Sequence, residues 1–451
     1  MDEDLLAQGL PGDRPGEARF MTLAVIAGGL TGLLGSIFHL LIDRLIAWPS
    51  WLGQIVQGWG LVGAAAGVTM ACTVLAVMIV RRFAPEAGGS GVQEIEGAME
   101  GLRVLRWRRV LPVKFVAGLM AISSGLVLGR EGPTIHIGAS ASAAVAEWFR
   151  TSELERRGLL AAGAAAGLAC AFNAPLAAVL FVIEETHKEF PYTFRTYLGV
   201  IFAAIASTIV TEMIGGAAPD LPLAAGHAPL AMLPAFLALG AVLGVVGVAL
   251  NASILRMVAF CAWSHARVPY LYPAVVGAAT GAIFILTPFA VTGGESVILQ
   301  LAAGNLGIAT LLALGAIRFV TMVGGYSSGV PGGIFAPILT LAVCIGLAFG
   351  GAVEMALPEG GVVPLAFAIA AMGGLFTASV RAPIVGVALT LELTGSYVLA
   401  LPLMVTCVTA DLVAQWSGGR PIYTQLLERV LARDGVPAPP AKARSEGAGL
   451  A

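Results

Sequence analysis

The chain has 451 residues, 58% of them hydrophobic and 12% charged, with a formal net charge of −2 and a mean hydropathy of +0.89. That balance excludes an ordinary soluble domain and gives no basic footprint for nucleic acid, so the class is a polytopic helical membrane protein. Continuous apolar runs such as Phe20 to Leu41 and Leu61 to Val80 argue against a β-barrel, whose strands alternate apolar and polar residues.

Residues 1–19 begin acidic and lack the basic-then-apolar pattern of a cleaved signal, so they are expected to remain as a cytoplasmic segment. The first span is expected from about Met21 to Leu45 and the second from about Gly60 to Val80. Trp48 to Trp59 between them carries no Lys or Arg, whereas Arg81, Arg82, Arg103, Arg106, Arg108 and Arg109 crowd the next connection. The positive-inside rule then puts the N-terminus and the 81–110 loop in the cytoplasm. Further cytoplasmic turns are marked by Arg150, Arg156 and Arg157, by His187, Lys188 and Arg195, by Arg256 and Arg267, and by Arg420, Arg429 and Arg433. The connections Gly215 to Leu230 and Val353 to Val363 lack Lys and Arg and should face outward. The cysteines (Cys72, Cys170, Cys261, Cys344, Cys407) are odd in number and sit in apolar runs, as small packed hydrophobes do. No metal site or cofactor is expected.

One segment is used twice. Lys114 to Pro133 reads KFVAGLMAISSGLVLGREGP and Arg318 to Pro337 reads RFVTMVGGYSSGVPGGIFAP, an offset of 318−114 = 204. Phe172 to Thr186 matches Val380 to Thr394 at an offset of 380−172 = 208. Two matched blocks at nearly one offset divide the membrane part into two repeats, 20–218 and 219–417, followed by a cytoplasmic helix and tail, 418–451. Ser90 to Met99 is too short to cross, and Pro133, Pro175, Pro337 and Pro383 can each open a half-helix.

Glu131 stands between glycines in Gly129-Arg130-Glu131-Gly132-Pro133 inside this apolar region. A charge at bilayer depth costs about 2.5–3.5 kcal/mol on insertion scales, so an intramembrane carboxylate marks an ion or proton path. Gly/Pro-interrupted segments at matching places of two halves point to a transporter site. Helix N-termini carry unpaired N–H groups and about half a positive charge, which favours an anion. The candidate turns are Gly89-Ser90-Gly91, Gly129 to Pro133 and Gly332 to Pro337.

These residues resemble the CLC chloride channels and proton-coupled chloride transporters, the bacterial exchangers above all. The resemblance runs from about Phe20 to Leu431 and rests on an ordered set: Gly89-Ser90-Gly91-Val92 with Glu94, Gly129 to Pro133, Gly332-Gly333-Ile334-Phe335-Ala336-Pro337, and Tyr423. It implies an all-α polytopic membrane protein of CLC-type fold, with two inverted-topology repeats of tilted and broken helices, and a homodimer with one pathway per subunit in the cell inner membrane. It further implies that chloride is held by the Ser90 and Tyr423 hydroxyls and by the backbone N–H groups of Ile334 and Phe335. Glu131 matches the gating glutamate that takes protons from outside. Glu185 matches the inner proton-transfer residue that exchangers have and channels lack. The family's first motif usually carries Pro where this chain has Gln93, which bears on selectivity or rate. The expectation is a chloride/proton antiporter and not an enzyme, without appended nucleotide-sensing domains.

Other readings are a passive chloride channel and, remotely, an intramembrane serine protease using Ser90 in Gly88-Gly89-Ser90-Gly91, which needs a histidine base within reach. Glu184 and its repeat mate Glu392 are expected to bond backbone freed by the broken helices. Ser90 is expected to cap a helix as well as meet the ion. His39, His136, His227 and His265 show no ligand spacing and are read as packing or boundary residues.

Overall fold

The computed structural model describes residues 14–185, 193–304, 306–357 and 363–436. Positions 1–13 and 437–451 of the terminal segments, the basic pair His187 and Lys188, and positions 358–362 of one expected outward connection lie outside them.

The first half runs α1 (Arg14–Leu45), the short α2 (Trp48–Leu52), α3 (Trp59–Phe83), α4 (Val92–Met99), α5 (Trp107–Ser123), α6 (Glu131–Trp148), α7 (Glu153–Phe172), α8 (Pro175–Glu185) and α9 (Phe194–Gly215). The second runs α10 (Leu233–Arg267), α11 (Leu271–Leu286), α12 (Glu295–Ala303), α13 (Ile308–Ser327), α14 (Phe335–Ala356), α15 (Pro364–Val380), α16 (Pro383–Thr394) and α17 (Ala400–Trp416), and α18 (Ile422–Arg433) follows. Among the described residues, seven helical stretches are long and apolar enough to cross a bilayer. The remaining helices are shorter or less apolar, and they pack among the spans.

The halves repeat each other's packing. α6 lies on α7 as α14 lies on α15, and α9 on α1 as α17 on α10. Close approach of α6 and α7 depends on small residues, as helix packing in lipid does. A β-carbon on Gly167 would stand 2.6 Å from the Ile135 Cα.

Gly129 and Gly333, which are mates at the 204 offset, form an antiparallel bridge with each other. Equivalent residues can pair antiparallel only if their segments run in opposite senses, so the two repeats are inverted about an axis through this bridge. The broken ends obey the same relation. Glu184, near the end of α8, accepts from the first-turn N–H groups of α16 at Ile384 (3.2 Å) and Val385 (2.8 Å). Glu392, near the end of α16, accepts from those of α8 at Leu176 (3.0 Å) and Ala177 (2.6 Å). Each half-helix starts without four intrahelical partners, and each obtains a carboxylate from its mate.

The prolines divide into two kinds. Pro175 and Pro383 open their helices as expected, whereas α6 and α14 begin two residues before Pro133 and Pro337. The ring is tolerated there because first-turn N–H groups have no intrahelical acceptor. Many basic helix ends gather on one face. Arg19 donates to the Phe149 carbonyl (2.8 Å), Arg195 pairs with Glu155, and Arg103 pairs with Asp434 (2.6 Å). The starts of α1, α7 and α9 therefore share a side with the end of α18.

Candidate functional site

Three glycine turns converge at the inverted axis. Gly129 donates to the Gly333 carbonyl (2.8 Å) and Gly333 to the Gly129 carbonyl (2.7 Å); Gly89 donates to Val330 O and Gly332 to Gly89 O, both at 3.0 Å. Gly89 (φ +63°) and Gly91 (φ +95°) adopt left-handed backbone, which costs a glycine nothing and another residue of the same fold dearly. These turns are buried, so their carbonyls need donors. The fully buried Lys114 supplies them to Ala87 O (3.1 Å) and Gly89 O (2.7 Å). Its repeat mate Arg318 supplies Phe289 O (2.7 Å), Val291 O (3.0 Å), Thr292 O (3.0 Å) and Gly293 O (3.3 Å) ahead of α12.

Onto this frame the chain hangs Ser90, Glu131, Phe335 and Tyr423, all buried. A β-carbon on Gly132 would lie 2.5 Å from the Ser90 Oγ and 3.0 Å from the Gly333 Cα; one on Gly333 would lie 3.1 Å from the Glu131 Oε2. The Glu131 carboxylate and the serine hydroxyl thus occupy space that only missing side chains leave open. Glu131 faces the N–H of Ala336 in the first turn of α14, and Ile334 is the N-cap of that helix with no side-chain cap. The Tyr423 hydroxyl faces Ser90. Among the described residues neither hydroxyl, and neither Glu131 carboxylate oxygen, has a hydrogen-bond partner of normal geometry. Phe335 stands at the centre of an aromatic group, with ring centroids 4.9 Å from Phe376, 5.6 Å from Phe181, 6.0 Å from Tyr423 and 6.3 Å from Phe172.

The residues expected to hold chloride and the Glu131 carboxylate are therefore brought together, with one difference. Ser90 does not cap α4: Gly91 is the N-cap and no side chain caps it, because the left-handed Gly91 separates Ser90 from the helix start. Glu185, expected apart from these residues, lies outside the central cluster. It ends α8, half-buried, within electrostatic reach of the Tyr423 hydroxyl.

A cavity of about 660 Å³ leads from Arg81, Arg429 and Arg433 to Gly89, Gln93 and Tyr326. Gln93 is almost fully buried and lines this cavity beside the Ser90 turn. On the other side of Glu131, Arg130 turns away to Glu295 (2.9 Å), Asp220 (3.5 Å) and Asp43 (3.6 Å). His39 bonds the Thr134 hydroxyl (3.0 Å). His136 packs against Gly91, with neither ring nitrogen partnered among the described residues.

Sequence reasoning missed Tyr326, whose hydroxyl borders Gly89 and takes the Ser90 backbone N–H, and the three carboxylates around Arg130. Tyr326 was within view, directly before the duplicated Ser-Ser-Gly. Asp43 near the end of α1, Asp220 in the connection after α9 and Glu295 at the start of α12 are far apart in the chain and carry no local signal. Among the described residues no group of three His, Cys, Asp or Glu could hold a metal ion.

The model of the family described as voltage gated chloride channel matches residues 72–415. The chain belongs to that family. Among curated members of the voltage gated chloride channel family, the H(+)/Cl(-) exchange transporter ClcA of Vibrio campbellii is 42% identical over 433 residues, covering 94% of this chain and 92% of the relative. The ClcA of Yersinia pseudotuberculosis serotype IB is 42% identical over 423 residues, covering 92% and 88%. Among solved structures of the same family, a slow cyanobacterial Cl-/H+ antiporter superposes with a TM-score of 0.88 at 35% identity, covering 92% of this chain and 99% of the other. A eukaryotic CLC transporter, at 21% identity and a TM-score of 0.77, shares the fold.

Proposed function

We propose that this protein is a proton-coupled chloride antiporter, in which Glu131 is the gate and outer proton acceptor and Glu185 passes protons on the inner side. The observation that carries the reading is the Glu131 carboxylate, fully buried and unpaired among the described residues, held against the N-terminal turn of α14 beside the Ser90 and Tyr423 hydroxyls. Curated relatives named as chloride/proton exchangers support the same reading.

In this mechanism chloride is held by the hydroxyls of Ser90 and Tyr423 and by the N–H groups of Ile334 and Phe335, with the positive ends of α4, α6 and α14 adding attraction. An ionised Glu131 and a chloride ion compete for that electropositive position. Protonation removes the carboxylate charge, so the side chain gives way and chloride advances; return of the carboxylate expels the ion. Each cycle therefore links the two movements in opposite directions. The basic helix ends on one face orient that face to the cytoplasm by the positive-inside rule, which puts Glu185, the cavity at Arg429 and both termini inside. The protein works as a homodimer in the cell inner membrane, its exposed apolar residues on α8, α9, α16 and α17, including Leu176, Ile209, Ile384 and Met404, forming the partner face, with a complete pathway in each subunit.

A serine protease is the weaker reading, because Ser90 has no histidine hydrogen-bonded to it among the described residues and a nucleophilic serine needs a base. The passive channel differs from the exchanger only in coupling. Reconstituted into liposomes, the wild-type protein is expected to drive protons uphill on a chloride gradient. Glu131→Gln is expected to retain chloride flux and lose proton movement, and Glu185→Gln to lose proton movement likewise. Chloride flux with no proton movement in the wild type establishes the channel instead, and coupling that survives Glu131→Gln removes the gate assignment.

A further inference from the structure

On the basic face, away from the chloride pathway, lies a cavity of about 890 Å³ between the start of α5 and the end of α6. Its rim carries Arg106, Arg108, Arg109, Arg150 and Arg156, and its floor is apolar, with Leu105, Ala143 and Ala146. The charge on this rim is largely uncompensated. Glu147 neutralises Arg108 (2.7 Å) and Glu153 pairs with Arg156 (3.3 Å). Arg106, Arg109 and Arg150 are exposed and have no carboxylate partner among the described residues.

The surroundings identify the phase that meets this rim. Trp107 donates its indole N–H to Glu147 (2.5 Å) and packs edge-on against Trp148 with centroids 5.9 Å apart. Trp148 is 58% exposed, Phe149 46% and Val104 70%. Tryptophans with one polar anchor and an exposed apolar body belong at the boundary between headgroups and acyl chains. A cationic rim over an apolar floor at that depth matches an amphiphile whose head is an anion and whose tail is hydrocarbon.

We infer that this cavity binds the phosphodiester headgroup of an anionic membrane lipid, with Arg106, Arg109 and Arg150 holding the phosphate oxygens and Leu105, Ala143 and Ala146 receiving the first part of the acyl chain. Guanidinium forks match phosphate geometry bidentately, and basic pockets at helix ends on the cytoplasmic side hold such headgroups. The occupied cavity ties α5 to α6, the helix that begins at Glu131.

The test uses the purified full chain in neutral detergent, titrated with phosphatidylglycerol, with phosphatidylcholine, or with inorganic phosphate at equal phosphate concentration. Binding is followed by native mass spectrometry and by the thermal unfolding midpoint. Phosphatidylglycerol is expected to bind and raise the midpoint, and the other two to do neither. The triple variant Arg106→Gln, Arg109→Gln, Arg150→Gln is expected to bind phosphatidylglycerol on the order of a hundredfold more weakly, at about one decade or less per arginine. A control on the same face, Arg256→Gln with Arg267→Gln, is expected to bind as the wild type does. Each single variant is a surface change that preserves folding, so a graded loss across the three gives the same reading if the triple variant is poorly made. The inference is overturned if phosphatidylcholine or inorganic phosphate acts as well as phosphatidylglycerol, if the triple variant binds undiminished, or if the control loses as much as the triple variant.

Discussion

Glu131 and Phe335 are repeat mates, 335−131 = 204 positions apart, and the difference between them gives the two halves different work. Each opens a half-helix at the inverted axis, yet one brings a carboxylate with no partner among the described residues and the other an aromatic ring locked among Phe172, Phe181, Phe376 and Tyr423. The ring is packed among four others, so the movement proposed for the gate falls to the acid. The space for that movement depends on Gly333, where a β-carbon would meet the Gly132 nitrogen at 2.8 Å as well as Glu131 at 3.1 Å. Gly333→Ala is therefore expected to lower chloride turnover by tenfold or more, a cost of about 1.4 kcal/mol or above in the barrier, while the protein still purifies as a folded species; stopped-flow chloride efflux from liposomes measures it. Ser90, Glu131 and Tyr423 were legible because each stands in a short motif with glycine or at a marked boundary. Tyr326 stood beside the duplicated Ser-Ser-Gly and was passed over, whereas the partners of Arg130 were not legible, since their roles arise from contacts between segments far apart in the chain that no local pattern encodes.

The half-helices show what duplication does for stability. Glu184 and Glu392 each satisfy two N–H groups of the other's helix; bonding to freed backbone was expected from the sequence, the exchange between mates was not. Glu184→Ala and Glu392→Ala are each expected to cost about 1–2 kcal/mol, as the loss of an N-terminal cap does, and to lower the thermal unfolding midpoint in detergent by similar amounts. A marked asymmetry between the two would contradict the reciprocal arrangement. At the start of α7, Ser152 and Glu155 form a capping box, and Arg195 of α9 joins Glu155. Burial works against the charged form of Glu155, but the Ser152 N–H and Arg195 outweigh it and hold the carboxyl below its ordinary value. A depressed carboxylate stabilises the fold above the unfolded value of about 4.3 and loses that contribution as pH falls through its own lower value. The wild type is thus expected to be more stable than Glu155→Gln at pH 6, with the gap closing below about pH 4 in parallel melting curves. Helix ends were less legible than helix existence: α6 and α14 begin before their prolines because the turns they leave are fixed by pairing with each other.

At the scale of the molecule, neither repeat is a finished unit. The first lacks Gly333 to pair Gly129 and Glu392 to cap α8; the second lacks Gly129 and Glu184 in return. Residues 1–218 or 219–451 expressed alone are expected to be degraded or to aggregate, and the two expressed together to recover a membrane-inserted, detergent-stable complex, read by size-exclusion chromatography. The doubled segment made this division visible in the primary structure, but not its sense: two copies at one offset are equally compatible with parallel and inverted arrangement until the antiparallel Gly129–Gly333 bridge decides it. That bridge has a mechanical consequence. Two peptide hydrogen bonds with no side chain between them make the pair of turns a shared axle, so neither turn can shift without dragging its mate from the other half.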